Sequence, residues 1–267
     1  MNKTILITGA SSGFGLLIAN KLHKSGYRVI GTSRNPEKQA SGLPFKMIAL
    51  DLDSEESIST FPERLFKEIG QLDILINNAG FLVSGIAEET PIELGRRQLE
   101  TNFWGTIKLT NAILPYFRKQ KSGKIITVGS IIGIVSFPNN AYYAASKHAL
   151  EGYFKSLRYE LDEFNISVAM IEPTAFKTGI LDNSSSASAK IADYNVLRNK
   201  IAKFTNDYLV NQAGDPAVVA EKVLKVVQTK TPKFRNVVGK GTSTLVNLQH
   251  FAYEILEKNV LKQLNKS

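Results

Sequence analysis

Seven short runs rich in Val, Ile and Leu recur along the chain, at residues 4–8, 28–33, 45–50, 74–77, 124–129, 167–172 and 235–238. A continuous apolar run suits a strand whose two faces are both covered. Between these runs lie helical patterns at 13–25, 55–69, 102–119, 141–163, 216–229 and 245–264. Strand–helix–strand alternation demands parallel pairing, with helices packed on both faces of one sheet. Right-handed crossovers leave few ways to wind it. The expected fold is therefore α/β, a doubly wound parallel sheet of about seven strands. A chain of 267 residues fits it as a single domain. Between Arg34 and Pro44 there is room for no more than a helical turn. Residues 179–210 contain the Ser-rich run 183–189 and are expected to form a substrate lid within that domain.

Composition narrows the function classes. With 43% hydrophobic and 21% charged residues, the chain is an ordinary globular one. It has no cysteine, and His23, His148 and His250 are too scattered for a ligand set, so no metal site is expected. The longest apolar stretch, 125–135, is broken by Thr127, Gly129, Ser130 and Gly133, far short of a membrane helix. The first apolar run leads straight into a glycine turn and reads as a strand rather than a targeting segment. A cytoplasmic protein without a membrane partner is expected. The net charge of +9 is spread along the chain, with no run of five basic residues, so no nucleic-acid partner is expected either.

The turn after the first run reads Thr8-Gly9-Ala10-Ser11-Ser12-Gly13-Phe14-Gly15. Glycines there let backbone N–H groups approach a pyrophosphate at the start of the following helix, where the dipole favours negative charge. A dinucleotide site at Gly9, Ser11, Ser12, Gly13, Phe14 and Gly15 follows. The second run ends Ser33-Arg34-Asn35, without the carboxylate that would accept from a free ribose 2′-hydroxyl. Arg34 carries a planar, permanently charged fork suited to a 2′-phosphate. NADP(H) is favoured over NAD(H).

Tyr143 and Lys147 stand four apart on a helical pattern, which places phenol and ammonium on one face. A phenol titrates near 10, too high for acid–base work at neutral pH, and a nearby ammonium lowers that value by favouring phenolate. Tyr142 has Ser146 at the same spacing and lacks that partner. Ser130 closes the fifth run and can hydrogen-bond a substrate oxygen that becomes an alkoxide.

With these residues the chain resembles the short-chain dehydrogenase/reductase family, on its hydroxysteroid- and retinol-type branch. The Thr-Gly-x-x-x-Gly-x-Gly turn matches Thr8, Gly9, Gly13 and Gly15, and Asn-Asn-Ala-Gly matches Asn77, Asn78, Ala79 and Gly80. Asn102, Ser130, Tyr143 and Lys147 match the active-site positions. The resemblance implies a Rossmann-type fold and hydride transfer between NADP(H) and a carbonyl or alcohol. It makes Tyr143 the acid/base, Lys147 its modulator and a ribose ligand, Ser130 the substrate-orienting hydroxyl, and Asn102 the anchor of a relay water. It places Asp51 and Leu52 at the adenine, Asn78, Ala79 and Gly80 along the cofactor, and Pro173, Thr174 and Thr178 near the nicotinamide. Thr174 stands where the family usually has glycine.

Phe81, Val83, Ile132, Val135, Phe137, Phe176 and parts of the segment 179–208 are the candidate pocket residues, from loops at the strands' carboxyl ends, pointing to a hydrophobic ketone or aldehyde as the small-molecule substrate. Asp53 and Glu56 read as a helix capping box. Leu245, Leu248, Phe251, Ile255 and Leu264 read as one stripe of a C-terminal helix that covers the domain's own core. The resemblance implies a homodimer or homotetramer. The alternative is an NADP-binding sensor on the same fold without turnover.

Overall fold

A computed structural model describes residues 3–38, 42–176, 185–186, 190–207 and 213–266. Its main sheet has seven parallel strands: β1 Thr4–Ile7, β2 Arg28–Ser33, β3 Lys46–Ala49, β4 Ile74–Asn77, β5 Gly123–Val128, β6 Ile166–Pro173 and β7 Arg235–Val238. Their spatial order is β3-β2-β1-β4-β5-β6-β7. The chain starts at β1, steps outward to β3, then returns to pair β4 against β1. The loops leaving β1 and β4 therefore diverge, and a crevice opens at their carboxyl ends.

The strands feed two cores because successive side chains point to opposite faces. Ile5 and Ile7 face α1 (Gly13–Lys24) and α7 (Ala217–Gln228), through Ile18, Leu22, Val219 and Val223. Leu6 and Leu75 face α2 (Glu55–Ile69), and the same layer includes Phe117 and Phe154. Phe61, Phe117 and Phe154 are fully buried, each stabilising the fold by about 1.5–3 kcal/mol.

Four local features differ from expectation. Helix α3 (Ile92–Leu99) carries little apolar signal because its inward residues are Gly95 and Gln98, with the Tyr142 ring pressed against Gly95. It runs through a π-helical segment, Glu100–Gly105, into α4 (Thr106–Gln120), so Asn102 lies on the π segment rather than opening an α-helix. Helix α2 is capped by Ser54, whose Oγ accepts from the Ser57 N–H at 3.1 Å, one position from the box expected at Asp53 and Glu56. After α5 (Ala141–Glu160) and α6 (Asn195–Thr205), the C-terminal helix is two, α8 (Thr242–Phe251) and α9 (Tyr253–Lys266). The break at Ala252 (φ −152, ψ 48) rotates the expected stripe apart, leaving Phe251 and Ile255 outside. The short link after β2 is a single turn, Pro36–Lys38, as its length requires.

Lys124 shows how a buried cation is accommodated. Its Nζ donates to the carbonyls of Val226 (3.0 Å), Val227 (2.9 Å) and Thr229 (2.5 Å), closing the end of α7. Burial lowers its pKa to about 8. Lys124→Met is expected to cost about 2–4 kcal/mol, since three carbonyls, two of them buried, lose their donor. Urea unfolding measures this, and an unchanged midpoint would refute the capping role.

Candidate active site

Contacts between β1 and β4 shape the glycine turn. Thr8 Oγ1 accepts from the N–H groups of Asn78 (2.9 Å) and Ala79 (3.0 Å). Asn78 Nδ2 returns bonds to the carbonyls of Thr8 (2.9 Å) and Gly9 (3.2 Å). Gly13 takes φ +53 at the start of α1, and a Cβ there would meet nothing within 4 Å. Ser12, the N-cap, makes no side-chain capping bond. The first turn of α1 thus faces open space, as an anionic pyrophosphate requires. At the end of β2, Ser33 Oγ is buried without a hydrogen-bond partner, and the adjacent Arg34 is exposed with no ion pair among the described residues. An unpaired hydroxyl beside a cation fits a phosphorylated ribose.

Ser11, Arg34, Asp51, Leu52, Ala79, Gly80, Ser130, Tyr143, Lys147, Pro173 and Thr174 all line one cleft of about 2170 Å³, together with Gly9, Ser12, Gly13, Phe14 and Asn78. Gly15 and Asn102 do not line it, and Thr178 lies outside the described residues. Asp51 turns one carboxylate oxygen back on the Asp53 N–H at 3.0 Å.

Ser130 ends β5 and caps a short turn, Ile131–Gly133, its Oγ accepting from the Ile132 N–H at 3.1 Å. That turn packs on α5 at Gly133, where a Cβ would approach the Lys147 carbonyl oxygen to 2.9 Å. The contact brings the Ser130 hydroxyl beside the Tyr143 phenol, close enough to lower its pKa. Lys147 Nζ donates to the Val128 carbonyl at 3.1 Å and stands 5.7 Å from the Tyr143 ring centroid. Asn102 is buried with its side chain committed. Oδ1 accepts from the Phe81 N–H, and Nδ2 donates to the Phe81 carbonyl, both at 3.0 Å. A third bond, from Nδ2 to Ser146 Oγ at 3.3 Å, ties the loop after β4 to α5. The side chain braces the site, and the Asn102 carbonyl accepts from the Thr106 hydroxyl at 2.9 Å.

The electrostatics correct one expectation. Burial pushes the Tyr143 phenol up to about 12, against a lowering by the neighbouring Ser130 hydroxyl. Burial lowers Lys147 to about 8. Desolvation thus sets the direction for both buried groups, where an acidified phenol was expected. Thr174 uses its N–H on the Val238 carbonyl at 2.9 Å, extending the β6–β7 ladder, with its side chain packed against Gly239.

Phe81, Ile132, Phe137 and Phe176 line the cleft as expected, whereas Val83 and Val135 belong to the core. Phe204 of α6, within the segment expected to contribute to the pocket, lines it too, and the sequence reading missed Leu245 of α8 and Leu256 and Val260 of α9, which complete the apolar wall. It also missed Glu172, buried at the end of β6. Its carboxyl accepts from Arg235 Nε at 3.2 Å, and burial plus the neighbouring Glu151 raises it to about 9.

The family model described as short chain dehydrogenase matches residues 3–189. An uncharacterized oxidoreductase of Bacillus subtilis, YusZ, is 40% identical, the match covering 99% of each chain. A 3-ketodihydrosphingosine reductase of Bacteroides thetaiotaomicron is 37% identical over 88% of this chain and 87% of its own. Retinol dehydrogenase 8 of Bos taurus is 30% identical over 92% of this chain and 85% of its own. Among solved structures, a short-chain dehydrogenase from Streptomyces avermitilis superimposes with a TM-score of 0.83 at 30% identity, covering 98% of both chains. One from Burkholderia phymatum in complex with NAD gives 0.81 at 20% identity, covering 96% and 95%. ElxO with NADP bound gives 0.77 at 25% identity, covering 91% and 100%. The chain belongs to the short-chain dehydrogenase/reductase family, with retinol dehydrogenase-like relatives, and is an oxidoreductase of the Rossmann fold.

Proposed function

We propose that the protein reduces a hydrophobic ketone or aldehyde with NADPH. The observation that carries this reading is the convergence of Ser130, Tyr143 and Lys147 on one cleft, at the junction of the glycine turn and an apolar wall. The turn at 8–15 would hold the pyrophosphate, and Ser33 and Arg34 the phosphorylated ribose. Bound there, the nicotinamide supplies the hydride. Tyr143 donates its phenolic proton to the substrate oxygen, and Ser130 orients that oxygen. A phenol held near 12 stays protonated at neutral pH, which suits carbonyl reduction. The Lys147 ammonium stabilises the phenolate left behind. The reductase and retinol dehydrogenase relatives act, by their names, on lipid-like molecules, which agrees with the wall of Phe81, Phe137, Phe204 and Leu256. In this reading α6, within the expected lid, closes the substrate side. Assembly into a homodimer or homotetramer through α4 and α5 agrees with the exposure of Trp104 and Tyr159.

The deciding experiment is NADPH oxidation against a panel of ketosteroids, retinal and long-chain ketones. Cofactor binding with no turnover on any of them would favour the sensor. Two further outcomes are expected. Arg34→Asp should raise the KM for NADPH about 10- to 150-fold, as charge-assisted bonds of about 1.5–3 kcal/mol are lost, while leaving NADH little changed. Equal losses for both would remove Arg34 from the phosphate. The rate of reduction should be level below pH 8 and fall above it, because Lys147, lowered to about 8, loses its charge there. A kcat profile still flat at pH 10 would show that this charge is not needed.

A further inference from the structure

Large apolar side chains are mostly buried in this protein, but a group at the junction of α8 and α9 is not. Phe251 is 86% exposed, Tyr253 53%, Ile255 54% and Leu261 53%. The break at Ala252 ends α8 on Phe251 and starts α9 on Tyr253, so two aromatic rings stand at one corner. On α9 the helical period of 3.6 groups Ile255 with Lys258 and Lys262, both exposed. Neither lysine makes an ion pair among the described residues. The opposite face of α9 is buried at Leu256 and Leu264. Leu245, Leu256 and Val260, from the same two helices, line the cleft. One helix pair therefore has its inner side on the cleft and its outer side apolar and basic.

We infer that this outer side rests on an anionic lipid surface. Phe251 and Ile255 enter the boundary between headgroups and acyl chains, and Lys258 and Lys262 meet lipid phosphates. The contact is peripheral: no helix among the described residues is long and apolar enough to cross a membrane. A second copy fits the face less well. Self-pairing would bring two such basic faces together, on a chain of net charge +9. Glu254 and Glu257 lie on the same helix, but Glu257 is engaged by the Tyr253 hydroxyl at 3.2 Å.

Vesicle flotation of the full chain tests this without cofactor or substrate, so its outcome is separate from that of the reductase reading. The wild type is expected to float with phosphatidylcholine vesicles containing phosphatidylglycerol, poorly with phosphatidylcholine alone, and less as salt rises. Phe251→Glu with Ile255→Glu should lower the partition coefficient at least about tenfold at an unchanged melting temperature. Lys258→Glu with Lys262→Glu, at two exposed positions, should abolish the response to phosphatidylglycerol. The inference is overturned if the wild type stays unbound, or if both double variants float as it does. It is also overturned if the first double variant turns a solution dimer into monomers, which would assign the face to a second copy.

Discussion

Replacing Tyr143 with Phe should lower the rate of NADPH-dependent carbonyl reduction by about 10²–10⁴-fold and leave NADPH affinity unchanged. The ring is buried, and the substitution keeps its volume, so packing around Leu82, Ile132 and Ala144 is retained. What disappears is the hydroxyl beside Ser130, at the cleft. Ser130 Oγ still accepts from the Ile132 N–H, so it is not orphaned and the turn at 131–133 keeps its cap. The loss therefore falls on proton transfer rather than on folding or cofactor capture. Single-turnover reduction, with NADPH titration by fluorescence, separates the two. Activity within a few-fold of wild type would leave Tyr143 without the acid role.

The parts of the structure that the sequence made legible are those with a period or a punctuation mark. Leu6 between Ile5 and Ile7, and Ile76 at the end of β4, lie in unbroken apolar runs that only a sheet covered on both faces would bury. Thr8, Gly9, Gly13 and Gly15 mark the turn, and the four-residue spacing of Tyr143 and Lys147 holds on one buried face of α5. Helix α3 was hidden because its packing rests on Gly95 against Tyr142 and on Gln98, which accepts from the Val83 N–H at 2.7 Å. Periodicity does not register such contacts. The break at Ala252 was hidden because no proline or glycine announces it. Apolar side chains of α8 and α9 reach the cleft from far along the chain, a convergence that only the fold supplies. The Tyr143 pKa was misjudged for a related reason. Spacing shows that the ammonium is near but not that both groups are dry, and dryness decides the sign.

The glycine turn offers the other large effect. Gly15→Ala should abolish measurable cofactor binding and destabilise the protein by several kcal/mol, whereas Gly13→Ala should cost about 1 kcal/mol. Both glycines fall in the same motif, but their surroundings differ. A Cβ on Gly15 would come 2.0 Å from the Gly9 carbonyl oxygen and 2.5 Å from Asn78 Nδ2. The oxygen is backbone, and Asn78 Nδ2 is committed to the carbonyls of Thr8 and Gly9, so neither can yield without opening the turn. Gly9 in turn cannot retreat, because its own missing Cβ would lie 2.9 Å from Ala79 Cα. At Gly13 the methyl would enter open space, and the cost is the left-handed backbone at φ +53. Any loss of affinity there would then come from the methyl meeting the cofactor itself. Thermal unfolding with and without NADPH distinguishes the cases. Gly13→Ala should keep most of its melting temperature, and Gly15→Ala should lose both its own stability and the shift on adding NADPH. If the two variants melted alike, the clamp between Gly9, Gly15 and Asn78 would not be what shapes the cofactor site.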